Sequence, residues 1–171
     1  MQIEYLGNKR LLELRKVAFL CSRTVSSGAI LRCYDWATKM ADSGNVVIGG
    51  FQSKIEKDVL HFLLKGRQPV ILVIARQMYK ELPDELTNPM NEGRLLIIST
   101  APNTVRVSKD TANKRNSYIS EMADEIVFGY ISRGSSLNDL YSMCIEKSLI
   151  LFNNTYNVLI FFNISKLINL C

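Results

Sequence analysis

A three-layer α/β fold, with a mainly parallel sheet of about six strands and helices on both faces, is what this sequence predicts. Three observations carry it. From Lys16 to Asp58 the chain reads as strand, turn, helix, strand, glycine turn, helix, which is the grammar of a parallel sheet. Its strand segments are continuous apolar runs rather than alternating ones, as expected when helices cover both faces. The same alternation continues to Phe152, and right-handed crossovers are then the natural topology.

Each element has a local reason. Val17-Ala18-Phe19-Leu20-Cys21 is a buried strand that stops at Ser22-Arg23. Ser26 or Ser27 can cap the next helix, because a serine oxygen accepts from the free amides of a first turn. Ile30, Leu31, Tyr34, Ala37, Met40 and Ala41 recur at helical spacing, and Gly44 stops the run. Val46-Val47-Ile48 is a short strand that breaks at Gly49-Gly50. Ser53 followed by Glu56 has the spacing of a capping box for a helix over 55–65, ended by Gly66. Residues 69–74 form the clearest strand, and 94–99 another, with a short helical stretch punctuated by Pro83 and Pro89 between them. Ser108 caps a helix over 109–123, 125–130 is a strand, and Ser132 to Ser136 is a small-residue turn. A helix over 137–146 and a strand over 148–152 complete the series.

At 171 residues the chain is expected to form one domain, residues 1–152, with an Asn-, Ile- and Phe-rich tail over 153–171. That tail would be an edge strand or disordered. Its asparagines break it well short of the roughly 18 clean apolar residues of a membrane span, so no membrane association is expected. No basic start followed by an apolar run marks a secretory leader, and the cytoplasm is the expected compartment. The four cysteines are widely spaced and read as buried thiols, with neither metal nor cofactor implied. A net charge of +5 is compatible with a polyanionic partner without demanding one. The basic residues gather in two clusters, Lys9 to Arg23 and Arg106 to Arg115. They read either as a solvated face or as a surface that follows phosphates.

In parallel sheets ligands sit beyond the carboxyl ends of the strands, which places Ser22, Arg23, Gly49 and Gly50 where a ligand would be met. Arg23 beside a helix start would hold a phosphate through its fork, or else cap nearby carbonyls. The glycine pair permits close approach of a ligand, or only a tight turn. Arg115 and Asn116 would face the same mouth and touch phosphate and sugar or base edge, or else sit on a solvated helix face. Gly134 and Ser135 offer an anion-friendly nest or an ordinary cap. Lys54 adds charge to this mouth. Phe51 reads as core rather than as a stacking platform. His61, the single histidine, lacks a positioned partner for acid–base work, and helix-start stabilisation accounts for Glu56.

Several segments resemble, in order, the DNA-processing protein A (DprA/Smf) family. Tyr5-Leu6-Gly7-Asn8 with Leu11-Leu12 resembles the lead-in to that family's Rossmann-like domain, and Cys21-Ser22-Arg23 its Gly-Ser-Arg turn. Val47-Ile48-Gly49-Gly50 with Ile55-Glu56 resembles its Ser-Gly turn and following Gly-Ile-Asp. Arg115-Asn116 is similar to its Arg-Asn-Arg motif, and Gly134-Ser135-Ser136-Leu137 to its Ser-Gly-Ser-Leu turn. The stretch from Gly50 to Lys57 is closer still to the Gly-Phe-His-Ser-Pro-Ile-Glu-Lys of a short, stand-alone branch. Cys21 replaces a family glycine, Ser117 the second arginine of Arg-Asn-Arg, and no counterpart of the winged-helix module follows.

The resemblance implies a bacterial, non-enzymatic protein that binds single-stranded DNA and hands it to a recombinase. A homodimer is also conceivable for the class. The alternative is a nucleotide- or nucleoside-phosphate-binding protein, or a hydrolase, of the related lysine-decarboxylase-like superfamily. Its Pro-Gly-Gly-x-Gly-Thr motif is missing from the turn at Arg133-Gly134-Ser135-Ser136.

Overall fold

The computed structural model describes residues 2–152; the expected tail over 153–171 lies outside them. Seven strands form one sheet: β1 (Glu4–Gly7), β2 (Lys16–Cys21), β3 (Val46–Gly49), β4 (Val70–Ile74), β5 (Leu95–Ser99), β6 (Glu125–Tyr130) and β7 (Ser148–Leu151). Their spatial order is β1-β5-β4-β3-β2-β6-β7. Every pairing is parallel except that of β1 with β5. The sequence had led to about six strands. The seventh is β1, four exposed residues at the sheet edge that carry no apolar pattern to betray them.

Five helices cover the sheet: α1 (Ser27–Met40), α2 (Lys54–Lys65), α3 (Asp84–Asn91), α4 (Lys109–Met122) and α5 (Ser136–Met143). Strand residues divide by the period-2 rule. Val17, Phe19 and Cys21 of β2 join a core with Cys33 and Ala37 of α1, Val59 and Leu63 of α2 and Leu86 of α3. Ala18 and Leu20 face the opposite way, with Ile119 of α4 and Leu137 and Leu140 of α5. Ile48 and Ile71 belong to this second core and are fully buried, so both faces of the central strands are dry.

Three lysine and arginine side chains close helix ends from inside. Lys147 Nζ donates to the carbonyls of Ser120, Glu121 and Ala123 at the end of α4. Arg94 donates to the carbonyls of Leu64, in the last turn of α2, and of Gln68 just after it. Lys16 donates to the carbonyls of Leu12 and Leu14, at the end of the 3-10 turn at Lys9–Glu13. A cation is well placed at such an end, where carbonyls lack intrahelical partners. Asp124 ties β2 to β6 by accepting the Lys16 amide at 2.7 Å. That bond and the Lys16 charge hold its carboxyl below the usual carboxylate range.

The chain order 2-3-4-5 runs outward on one side of β2, whereas β6 and β7 lie on the other. The carboxyl end of β2 is therefore the topological switch point, where a crevice opens in sheets of this kind. Replacing Ile48 by Ala in this doubly covered sheet should cost about 2–5 kcal/mol, because a cavity remains where the side chain was. Leu31→Ala, at a residue of α1 that is 66 % exposed, should change the urea midpoint little. Equal shifts for the two variants would contradict the burial of β3.

Candidate functional site

At the switch point lies a cavity of about 650 Å³. Its walls are the turn after β2 (Cys21 to Thr24), the start of α2 (Gln52, Ser53, Glu56), the first two turns of α4 and the turn before α5 (Ser132 to Leu137). Three helices begin here, each capped by a serine. Ser53 Oγ accepts from the Glu56 amide, Ser108 Oγ from Thr111 and Ser135 Oγ from Leu137. Three positive helix ends thus converge on one opening, which favours anions.

The inner wall is organised by Glu56. Its carboxylate is buried and accepts the amides of Cys21 at 3.0 Å, Gln52 at 2.8 Å and Ser53 at 2.9 Å. Glu56 therefore does more than close a capping box: it joins the end of β2 to the turn after β3. Sequence pattern shows only the capping box, since the bond to Cys21 spans 35 residues.

Arg115 lies against the same wall, 5 % exposed. Its Nε and Nη2 donate to the Asn116 side-chain oxygen, and Nη1 has no hydrogen-bond partner among the described residues. Burial lowers the pKa of the guanidinium, and the Glu56 charge opposes that fall. Gly50 is pressed against this group: a Cβ there would stand 2.5 Å from Arg115 Cζ. The close approach permitted by Gly50 is thus to arginine. Gly49 similarly yields to the Phe51 ring, 2.9 Å from where its Cβ would be. Phe51 itself is buried, with a left-handed φ of 47°.

Of the residues singled out in the sequence, Ser22, Arg23, Arg115, Asn116, Gly134 and Ser135 line the cavity. Gly49 and Gly50 stand behind the wall and Lys54 outside it. Ser22 Oγ donates to Ser135 Oγ and accepts the Ser132 amide, which locks the turns after β2 and β6 together. Sequence reasoning missed Lys109, Arg133, Ser108 and Gln52 as lining residues. Lys109 and Arg133 each adjoin a helix start, and that adjacency was the available signal.

The two basic clusters are not one surface. Arg15 pairs with Glu125, Lys16 is turned inward, and Lys114 pairs with Asp110. Arg23, Lys109 and Arg133 are exposed on the cavity rim and form no ion pair among the described residues. Beside them Glu56 is the only carboxylate in the lining. The Cys21 thiol, at the floor, has its pKa pushed far up by the neighbouring Cys33 thiol and by burial. A thiol held protonated in this way is a packing group rather than a nucleophile. Among the described residues no cluster of three or more His, Cys, Asp or Glu could hold a metal, and no helix is long and apolar enough to cross a membrane.

The model of the DNA recombination-mediator protein A family matches residues 1–140. The chain belongs to that family. No curated protein matches it significantly. Solved structures of DNA processing protein A share the fold. The Helicobacter pylori protein, whose structure concerns its single-stranded DNA binding mode, aligns with a TM-score of 0.69 at 17 % identity, over 87 % of this chain and 70 % of that one. The Streptococcus pneumoniae protein aligns at 0.67 and 18 % identity, over 87 % of this chain and 54 % of that one, so this chain spans little more than half its length. A molybdenum cofactor binding protein of Rippkaea orientalis also aligns, at 0.59 and 14 % identity, over 82 % of this chain and 77 % of that one. At these identities the likeness carries the fold alone.

Two outcomes follow from the inner wall. Glu56→Ala leaves three amides without an acceptor and removes the charge that favours the Arg115 guanidinium, and should cost roughly 3–5 kcal/mol in urea unfolding, mostly from the amides. Loss of less than 1 kcal/mol would mean that water replaces the carboxylate readily. Gly50→Ala should destabilise through its clash with the guanidinium, and should cost much less in an Arg115→Ala background. Strict additivity in that double-mutant cycle would contradict the contact.

Proposed function

We propose that this member of the recombination-mediator family binds single-stranded DNA, without catalysis, in the mouth at the switch point. The observation that carries the reading is the set of three exposed, unpaired cations, Arg23, Lys109 and Arg133, at the convergence of three helix N-termini. Phosphate oxygens are suited to such a site, since cations and free amides both stabilise them. All the lining residues fall between positions 21 and 137, within the stretch that matches the family. The Helicobacter pylori relative, which shares this fold, was studied for its single-stranded DNA binding mode. Transfer of the bound strand to a recombinase is the next step in this reading, and the family description as a recombination mediator supports it.

A second reading, a nucleotide or nucleoside phosphate as ligand, is favoured by one observation. The cavity volume falls within the range of roughly 300–1,000 Å³ usual for small-molecule sites.

Fluorescence anisotropy of a labelled oligonucleotide titrated with the protein at several salt concentrations tests the proposal. Binding should weaken steeply with salt, because bound phosphates release counterions. Arg23→Ala, Lys109→Ala and Arg133→Ala should each weaken it several-fold and reduce the log–log salt slope by about 0.7. Lys57→Ala, on α2 outside the cavity, should leave both unchanged. No binding at low salt would overturn the DNA reading. Thermal stabilisation by mononucleotides would then support the second.

A further inference from the structure

We propose that the free edge of β7 is a docking strip for residues 158–162 of the same chain, which join the sheet there as an antiparallel strand. β7 ends the sheet on the side away from β1, and no strand among the described residues pairs with its outer edge. Phe152 donates its amide to the Phe128 carbonyl, on β6. Successive residues of a strand bond to opposite sides, so Leu149 and Leu151 turn their amides and carbonyls outward. Such groups need a partner or water.

Nothing in the composition of β7 discourages strand addition. Exposed edges are commonly guarded by a charge, a proline or a bulge. β1, at the opposite edge, carries Glu4, whereas Ser148-Leu149-Ile150-Leu151 has no charge or proline and pairs with β6 in unbroken register. Both faces of β7 are also only half covered. Ile150 and Phe152 are partly buried against the core on the α1 side, and Leu151 against the core on the α4 and α5 side. Met143 and Ile145, just before β7 in the chain, are 78 % and 47 % exposed.

The sequence that follows has the matching character. Residues 153–171 lie outside the described residues, and Lys166 is their single charged side chain. Val158-Leu159-Ile160-Phe161-Phe162 is apolar at every position and rich in residues that favour strands. A run apolar on both faces suits a place beside a strand that is half covered on both; a solvated face would call for alternation. Residues 153–157, three of them asparagine, connect the run to β7, and a loop of that length and composition closes antiparallel hairpins. Arg32 of α1 donates to the Phe152 carbonyl, which fixes where the chain leaves β7, beside the free edge. So short a connection gives the segment a high effective concentration at this edge, which a second copy of the chain does not match in dilute solution.

Amide hydrogen exchange of the full chain, followed by NMR, tests the proposal. The outward amides of Leu149 and Leu151 should exchange at least about 100-fold more slowly than in an unstructured chain, and dilution should not change this. Ile160→Pro removes a strand donor and should bring both amides to within about tenfold of the unstructured rate. Phe161→Asp, which keeps every backbone donor but charges the run, should act in the same direction. The Phe19 and Val127 amides, in the middle of the sheet, should stay protected in both variants and so report that the fold is intact. Unprotected Leu149 and Leu151 amides in the unaltered chain overturn the proposal. So does protection that survives both substitutions, which would place another segment on the edge. Protection that fades on dilution would mean that a second copy covers the strip, and overturns it equally.

Discussion

Everything at the mouth depends on one buried carboxylate. Glu56 accepts three backbone amides from two segments that share no other covalent or sheet connection at that point, the end of β2 and the turn entering α2. A buried charge is costly unless it is paired and hydrogen-bonded. For Glu56 three amides supply the bonds, and its charge in turn favours the charged form of the nearby Arg115, although no direct ion pair joins the two. In return the carboxylate makes a buried guanidinium tolerable, and that guanidinium fills the space over Gly50 where any side chain would clash. Carboxylate, arginine and glycine thus form one mutually dependent unit behind the cavity wall.

That unit separates two uses of positive charge. Lys16, Arg94 and Lys147 point into the structure and satisfy carbonyls at helix ends, and Arg115 is buried in the wall. A net charge of +5 therefore overstates the basic surface. The cations that remain free at the cavity are few, but they stand where three helix dipoles already make the potential positive. Their effect on an anion is larger than their number suggests, because fixed dipoles need no reorganisation to receive it.

Most of the fold was legible in the sequence because its signals are local. Continuous apolar runs marked β2 to β6, and the serines at 53, 108 and 135 proved to be N-caps with the expected bonds. β1 escaped because an exposed edge strand of four residues has no burial pattern to leave in the sequence. At the site, the switch-point rule led to Ser22 and Arg23, since turns after central strands lie there in any sheet of this order. The partnership of Gly50 with Arg115 was out of reach. It joins residues far apart in the chain, and a glycine pair after a strand looks the same whether a ligand or an arginine fills the gap. Glu56 was obscured for a different reason: a capping box accounts for a glutamate at that position so fully that nothing prompts a search for a second role.

The same separation bears on the proposed binding of a flexible strand. A single strand loses conformational freedom when bound, so its affinity is highest where the protein has least left to organise. In this mouth the wall is fixed by Glu56 and by the Ser22 bridge between turns, and only the long side chains of Arg23, Lys109 and Arg133 must settle on the ligand. Attraction of that kind acts at the distance of a Debye length and weakens as salt rises. Under the proposed function, a strand held by charge at a pre-formed opening could be exchanged without dismantling any packed interface.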